Sequence, residues 1–407
     1  MSLVENIPVL RRGQMAAVDT QPCAHAPDFG AVPSAGPADD LARNVYCVLG
    51  MPIDAIDMAT VLRRIEAAAI SRAPFLISTL NLNFLVNSRS DPQFRESLLD
   101  SDLCSADGMP IVWIARLIGL PIKERVSGSD IFEALKAPDR CARRLRVFLF
   151  GGAPGVAAAA ASTLNGMPGG LSCVESVDPG FGTVEEMSRN DILATINASE
   201  ADFLAVSLGA KKGQLWLLRN HERLRIPVRA HLGAVMNFQA GSVKRAPPSV
   251  RACGLEWLWR IKEEPYLWRR YWNDGCVLLR LLLTRVLPLV TATLWHRLVP
   301  TEQDLVIETT QNSETAMIRL CGVATEPHIQ KAISCFRDAL IASRQCITID
   351  LSDTRVMDPR FLGLLLMLRK QVKKQQARLK FVRVSRQAER MFRLNGAGFL
   401  LASERSV

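Results

Sequence analysis

Residues Leu145 to Leu164 read LRVFLFGGAPGVAAAAASTL: six mostly apolar residues, a glycine pair at Gly151 and Gly152, then an alanine-rich stretch. A short apolar run closed by glycine is the pattern of a buried strand, and the residues after it favour helix. Strand, glycine turn and helix together make half of a βαβ unit. The same alternation continues downstream, with a strand at Ser172 to Val177, a helix over Val184 to Ala198, a strand at Asp202 to Leu208, a helix from Gln214 and a strand at Val228 to Leu232. Upstream, VYCVLGMPID from Val45 reads as a strand, MATVLRRIEAAAI as a helix, and APFLISTLNLNFLV as a strand running through a polar turn into a helix. Strands that alternate with helices in this way predict an α/β domain with a doubly wound, mostly parallel, Rossmann-like sheet over residues 45–243.

The ends of the chain differ from this centre. Residues 1–44 carry Pro, Ala, Gly and Asp throughout and read as a flexible leader, with Arg11 and Arg12 but no apolar core or cleavage site of a secretory signal. Residues 244–300 form a basic and aromatic appendage. Between Gly241 and Trp272, GSVKRAPPSVRACGLEWLWRIKEEPYLWRRYW sets seven Lys and Arg among four of the seven tryptophans. The run CVLLRLLLTRVLPLVTATLW from Cys276 to Trp295 is apolar enough to raise the question of a membrane span. Arg280 and Arg285 within it, and Pro288, favour a helix lying in the interface, with a buried inter-domain helix as the other reading. From residue 301 to 407 strands at Asp304 to Glu308 and Ala316 to Leu320 and a helix from Glu326 to Ser343 mark a separate small βα domain.

The formal charge of +10 is concentrated in the appendage, so an anionic partner is expected at one place. Three partners fit: a diphosphate gripped by Arg245, Arg260, Arg269 and Arg270, a membrane met by the tryptophans, or a nucleic acid bound by charge and stacking. The apolar run that follows favours lipid. Ten cysteines are scattered without C-x-x-C or a Cys/His cluster, which implies a reduced, cytoplasmic setting and no zinc site.

Candidate chemistry lies at predicted strand ends, where ligands of parallel α/β sheets bind. Ser78 to Asn81 close one strand, and Ala106 to Pro110 follow a short helix, which makes Asp107 a candidate general base, although Asp-Gly is also an ordinary turn pair. Gly151-Gly152 and Leu208 to Gln214 could each present backbone N–H groups to a phosphate. Asp100-Ser101-Asp102 matches the short D-x-D pattern of metal-using sugar transferases, but no other metal-ligand spacing supports it.

These residues together resemble the WecG/TagA/CpsF family of bacterial glycosyltransferases over about Val45 to Trp272. The likeness rests on T-x-N at Thr79 and Asn81, D-G-x-P from Asp107 to Pro110, E-R-V-x-G-x-D from Glu124 to Asp130, and G-G at Gly151; it continues with A-G-x-V-K-R-A-P from Ala240 to Pro247 and G-L-E-W-L-x-R from Gly254 to Arg260. The resemblance implies transfer of a sugar such as N-acetylmannosamine, its uronic acid or a related hexose from a UDP donor to a polyprenyl-diphosphate-linked acceptor, with inversion and with no metal or other cofactor. It implies that Asp107 is the base, with Thr79 beside it in a catalytic role. Asn81, Arg125, Gly151, Gly152, Gly209, Gln214, Asn237, Arg260 and Arg270 are the expected substrate-binding residues. The expected setting is an exopolysaccharide or other surface-polymer pathway, on the inner face of the cell membrane as a peripheral protein bound to anionic lipid, with no nucleic-acid partner.

Three positions depart from the family pattern. Its P-K-Q-E is Lys211 to Gln214, its Phe-Asp is Met236-Asn237, and its E-P-x-R is Glu264 to Leu267. An alternative implied by these departures is a catalytically degenerate scaffold. Residues from about 302 resemble a sulfate-transporter/anti-sigma-factor-antagonist (STAS) domain, through Ile349 to Ser352, Met357 to Pro359 and Phe392 to Leu394. In regulatory members a phosphorylated serine follows the aspartate. Pro359 stands there, so docking of a protein partner or a nucleotide is expected of residues 301–407 instead of that switch.

Overall fold

The computed structural model describes residues 39–137, 143–298, 304–311, 314–342 and 345–402. The first stretch expected to be one strand, Val45 to Asp54, folds into an antiparallel hairpin of β1 (Val45–Val48) and β2 (Met51–Asp54). Leu49 and Gly50 turn the chain with φ of 51° and 95°, the positive values that a tight hairpin demands.

Next come β3 (Phe75–Leu80), β4 (Leu103–Ala106), β5 (Leu145–Gly151), β6 (Leu171–Val177), β7 (Phe203–Ser207) and β8 (Val228–His231). They form one six-stranded sheet in the order β4-β3-β8-β7-β5-β6, and every neighbouring pair is parallel. Helices cover both faces. One side holds Ile65, Phe132, Leu149 and Met236 in a common core, and the other holds Phe148, Phe150, Trp216 and Leu217. Near-continuous burial along β4, β7 and β8 is what a parallel sheet buried on both faces requires.

The apolar run folds as a continuous helix from Trp268 to Leu298, with one wider, π-type turn at Leu282–Val286. That turn lies just before Pro288, whose ring nitrogen cannot donate to the preceding turn, and a π turn relieves such a mismatch. Leu281, Val286 and Leu289 are buried against Phe84, Leu85, Ile111 and Ile118 of the N-terminal α/β half. Leu279, Leu283, Leu287 and Leu294 are exposed. The stretch Pro265–Leu294 is long and apolar enough to cross a membrane, but one of its faces is committed to packing on protein.

The C-terminal domain contains β9 (Val306–Gln311), β10 (Thr315–Ala324), β11 (Cys346–Asp350), β12 (Thr354–Met357) and β13 (Arg378–Val382), in the order β12-β10-β11-β13 with β9 against β10. Its helix Pro359–Lys374 is started by Asp358, which accepts from the Phe361 N–H, and by Pro359 in the first turn. This helix is buried nearly all round, because its own sheet covers one side and the β1–β2 hairpin covers the other. Leu41, Val45, Cys47 and Leu99 share a core with Phe336, Phe361 and Leu365.

The approach is closest at Gly363, where a Cβ would stand 2.1 Å from the Val45 carbonyl oxygen. Gly363→Ala therefore forces helix and strand apart and should destabilise the fold by about 1–3 kcal/mol, read as an earlier urea transition.

The expected flexible leader does not extend to residue 44. Residues 1–38 lie outside the described residues, but Asp40–Ala42 form a helical turn, and the buried Arg43 forms ion pairs with both Asp40 and Asp54. Polar composition reads as a leader, whereas here the charges are consumed by a buried network.

Candidate active site

Asp107 follows the end of β4, not a short helix, and its N–H donates to the Leu80 carbonyl of β3 at 2.8 Å. Gly108 has φ of 88° and starts the Met109–Leu117 helix, so the chain turns sharply and leaves the Asp107 side chain at the sheet edge. Thr79, at the end of β3, stands beside the Asp107 carboxylate and draws its pKa down. Asn81 caps the Leu82–Ser90 helix, accepting from the Phe84 N–H at 3.1 Å, and its Cβ lies 3.7 Å from where a Cβ on Gly108 would be. Gly128 packs closely on this group, since a Cβ there would stand 2.7 Å from the Leu232 side chain and 3.3 Å from the Thr79 hydroxyl.

Arg125 joins this group from the segment after the 109–117 helix. Its guanidinium bonds Asp130 at 2.7 Å and Glu256 at 2.5 Å. Arg245 and Arg251 also reach Asp130, the latter at 3.1 Å. Three arginines thus converge on one carboxylate close to Asp107. Burial pushes the Asp107 pKa up, Arg125 opposes this, and Glu256 and Asp130 add to the rise, leaving it at about 7. A carboxylate poised there is protonated and deprotonated in comparable amounts near neutral pH, the condition that suits a general base.

Asp130, Arg251 and Glu256 were missed as site residues by the sequence. Asp130 ends the E-R-V-x-G-x-D run and stands three residues after Ser127, whose hydroxyl accepts from the Asp130 N–H at 3.1 Å in a helix N-cap, so a capping role hid its place in the site. Arg251 and Glu256 lie more than a hundred residues away in the chain, and only folding joins them to Arg125 and Asp130.

The other expected residues fall at three places. Gly151 and Gly152 sit at the end of β5 with φ of 105° and 94°, and the Gly152 N–H donates to the Ser207 carbonyl at 2.8 Å. A Cβ on Gly152 would lie 3.7 Å from Met236, which brings the helix of Asn237 beside this turn. Arg260 pairs with Glu264 and stacks over the Phe238 ring at 5.6 Å, at that same end. Gly209 starts the Ala210–Asn220 helix with open space where its side chain would be.

Two expected substrate-binding residues lie apart from the Asp107 group. Gln214 is fully buried and donates to the Ser78 hydroxyl, in a chain that continues to Ser101. Ser78 and Thr79 point to opposite faces of β3, so Gln214 lies under the sheet and not beside Thr79. Arg270 is exposed over the Tyr271 ring at 4.8 Å, and the appendage arginines that reach the Asp107 group are Arg245 and Arg251.

Two departures from the family pattern acquire a physical reason. A Cβ on Gly213 would stand 2.2 Å from the His231 ring, so the imidazole occupies the space of any side chain at position 213. Burial pushes the His231 pKa down to about 4, and the ring is neutral. Leu267 is buried, where an arginine would have to bring its charge into an apolar site.

The D-x-D triplet serves another purpose. Asp102 accepts from the Leu76 N–H at 2.9 Å and pairs with Lys370, and Asp100 pairs with Lys373. Both precede β4, at the opposite end of that strand from Asp107.

The chain is 28% identical over 196 residues, 48% of this chain and 73% of the relative, to the N-acetylglucosaminyldiphosphoundecaprenol N-acetyl-beta-D-mannosaminyltransferase of Bacillus spizizenii. Residues 307–402 match the "Mlab, STAS domain" family. Two solved structures of the anti-sigma factor antagonist SpoIIAA resemble 24% of this chain. The unphosphorylated form is 20% identical with 85% of that chain covered and a TM-score of 0.22, and the phosphorylated form, from Bacillus, is 22% identical with 88% covered and a TM-score of 0.20. Residues 46–290, more than half of the chain, match the Glycosyl transferase WecG/TagA/CpsF family, and the chain belongs to it.

Proposed function

We propose that the protein transfers a hexose, of the N-acetylmannosamine or uronic-acid class, from a UDP donor to a polyprenyl-diphosphate-linked sugar at a membrane surface, with inversion and without a metal. The observation that carries this reading is the Asp107 carboxylate, tuned to about 7 beside Thr79 and three arginines. Asp107 takes the proton from the acceptor hydroxyl as that oxygen attacks the anomeric carbon, and the nucleoside diphosphate leaves from the opposite face. Inversion follows from this single in-line displacement.

The donor would lie along the C-terminal edge of the sheet. From the end of β4 at Asp107 to the glycine turn of β5 is four strand spacings, roughly 19 Å at ~4.8 Å each, which suits an extended nucleotide sugar. In this reading Asn237, Arg260 and the backbone of the Gly151-Gly152 and Gly209 turns hold the nucleoside end, and Arg125, Arg245 and Arg251, beside Asp107, take up the charge of the diphosphate leaving group. Those arginines stand in for a metal. Asp130 and Glu256 hold them in place until a stronger anion arrives.

The acceptor's lipid favours a peripheral membrane position. The exposed Trp257, Trp268 and Trp272 and the exposed leucines of the apolar helix supply an interfacial surface.

The test is transfer by the full chain from a panel of UDP-sugars to a short-chain polyprenyl-diphosphate acceptor, with EDTA present, followed by mass spectrometry across pH. Transfer should survive EDTA, and kcat/KM should rise with pH and level off above about 7, because only deprotonated Asp107 accepts the proton. No turnover with any donor at any pH would favour the degenerate scaffold, and a requirement for added metal would overturn the arginine role.

A further inference from the structure

A second basic site lies away from Asp107, at the seam between the catalytic half, the apolar helix and the C-terminal domain. It is a cavity of about 210 Å³ whose lining includes Arg89, Arg95, Arg285, Arg393, Gly396 and Phe399. It is smaller than the ~300–1,000 Å³ of typical small-molecule clefts, and its size suits a phosphate or a lipid headgroup. Four guanidinium groups arrive from four separate elements: Arg89 from the 82–90 helix, Arg95 from the 92–99 helix, Arg285 from the apolar helix and Arg393 from the 386–394 helix.

No carboxylate lines the cavity. Among the described residues none forms an ion pair with Arg89, Arg285 or Arg393. The acids nearest to Arg95 are engaged elsewhere, Asp91 with Lys211 at 2.7 Å and Glu96 with Arg369 at 2.8 Å. Arg95 is anchored by the Ser88 carbonyl at 3.3 Å and by the Phe399 ring at 4.1 Å, and its buried Nε has no partner. Arg285 donates to the Arg393 carbonyl. Partial desolvation by the cavity walls, with Arg280 beside Arg89 and with Arg89 and Arg393 beside Arg285, holds the pKa of Arg89 and Arg285 below the usual range, so like charges crowd this place. A group of fixed, like-charged forks is stabilised when an anion with several acceptor oxygens completes it.

We propose that this cavity binds a phosphate-bearing anion through Arg89, Arg95, Arg285 and Arg393, clamping the apolar helix and the C-terminal domain onto the catalytic half. The 82–90 helix connects the two sites, since Asn81 caps its start beside Asp107 and Arg89 lies in its last turn. The ligand's phosphate comes either from an anionic lipid headgroup or from a soluble phosphate compound.

The experiment compares the full chain with its Arg89→Gln/Arg393→Gln variant. Both side chains are exposed, and neither belongs to the Asp107 group. In one arm, sedimentation is measured with phosphatidylcholine vesicles containing or lacking phosphatidylglycerol. In the other, thermal melting is followed as pyrophosphate is added, with Arg245→Gln as the control for binding near Asp107.

A lipid headgroup predicts that the double variant loses roughly 20-fold or more of its partition onto phosphatidylglycerol vesicles, at about fivefold per arginine, and keeps its partition onto phosphatidylcholine. A soluble phosphate predicts a pyrophosphate-dependent rise in melting temperature that the double variant loses and Arg245→Gln retains. If the double variant does not melt cooperatively, the single variants Arg89→Gln and Arg393→Gln are read in the same way, each expected to show about a fivefold loss. Equal behaviour of wild type and variants in both arms, including no binding by any of them, overturns the proposal.

Discussion

Asp107→Asn should lower the rate of sugar transfer by about 10²–10⁴-fold, the usual contribution of a positioned general base, while UDP-sugar binding changes little. Asparagine keeps the size and the Thr79 contact but cannot take up the acceptor proton. The same change should make the protein more stable. The folded-state pKa of Asp107 is about 7, well above that of an unfolded aspartate, so between about pH 4 and 7 the folded chain holds a proton that the unfolded chain has released. Stability falls across that window as pH rises, and above about 7 the full cost of a charged Asp107 is present. Asparagine removes that cost, and the gain at pH 8 should be roughly 1–3 kcal/mol, with no gain at pH 4. The paired measurement is turnover by mass spectrometry and urea unfolding at both pH values. Retained turnover would remove Asp107 as the base, and a stability change independent of pH would mean that its environment does not raise its pKa.

The catalytic half was legible because its signals are local. The strand, glycine turn and helix of residues 145–164 fold as the periodicity implies, and so do the strand ends that carry Thr79 and Asp107. The hairpin at residues 45–54 was not legible, because Leu49 supplies one of the two positive φ values and a leucine gives no turn signal. The site was half legible. Asp107 and Thr79 announce themselves by motif, but Asp130 reads as part of the Ser127 cap, and Gln214 at a helix start reads as a ligand residue until the register of β3 sends Ser78 and Thr79 to opposite faces. Arginines of the appendage cannot be ranked by composition. Arg245 and Arg251 differ from Arg260 and Arg270 only in where the chain turns at Pro247 and Pro248 and in which acid each meets.

Nothing in the sequence joins residues 39–54 and 96–102 to residues 360–374, and the buried charges there give the second large effect: Lys370→Met should destabilise the protein by about 3–5 kcal/mol. The Lys370 ammonium is almost fully buried and donates to Asp40 at 2.9 Å, to the Ser101 carbonyl at 3.0 Å and to Asp102 at 3.1 Å. All three of its hydrogens are therefore used. Asp40 is fully buried, and although burial pushes its pKa up, Lys370, Arg43 and Lys374 hold it below the usual carboxylate range. Methionine fills most of the volume but withdraws a cation shared by Asp40 and Asp102, which leaves the fully buried Asp40 charge short of a partner. Because Asp40 has a depressed folded pKa, its contribution is present above the unfolded value near 4 and is lost as pH falls below it, so the penalty of Lys370→Met should shrink in acid. Lys373→Met, which removes a half-exposed ion pair with Asp100, should cost less than about 1 kcal/mol. The two variants are compared by urea unfolding and by limited proteolysis at the segment between the domains. A small effect for Lys370 would mean that the C-terminal domain is held by the apolar contacts of Val45, Phe361 and Leu365 alone. A large effect, with cleavage between the domains before either unfolds, would show that the charges lock a STAS helix against the catalytic half, so that this face is closed to any outside partner.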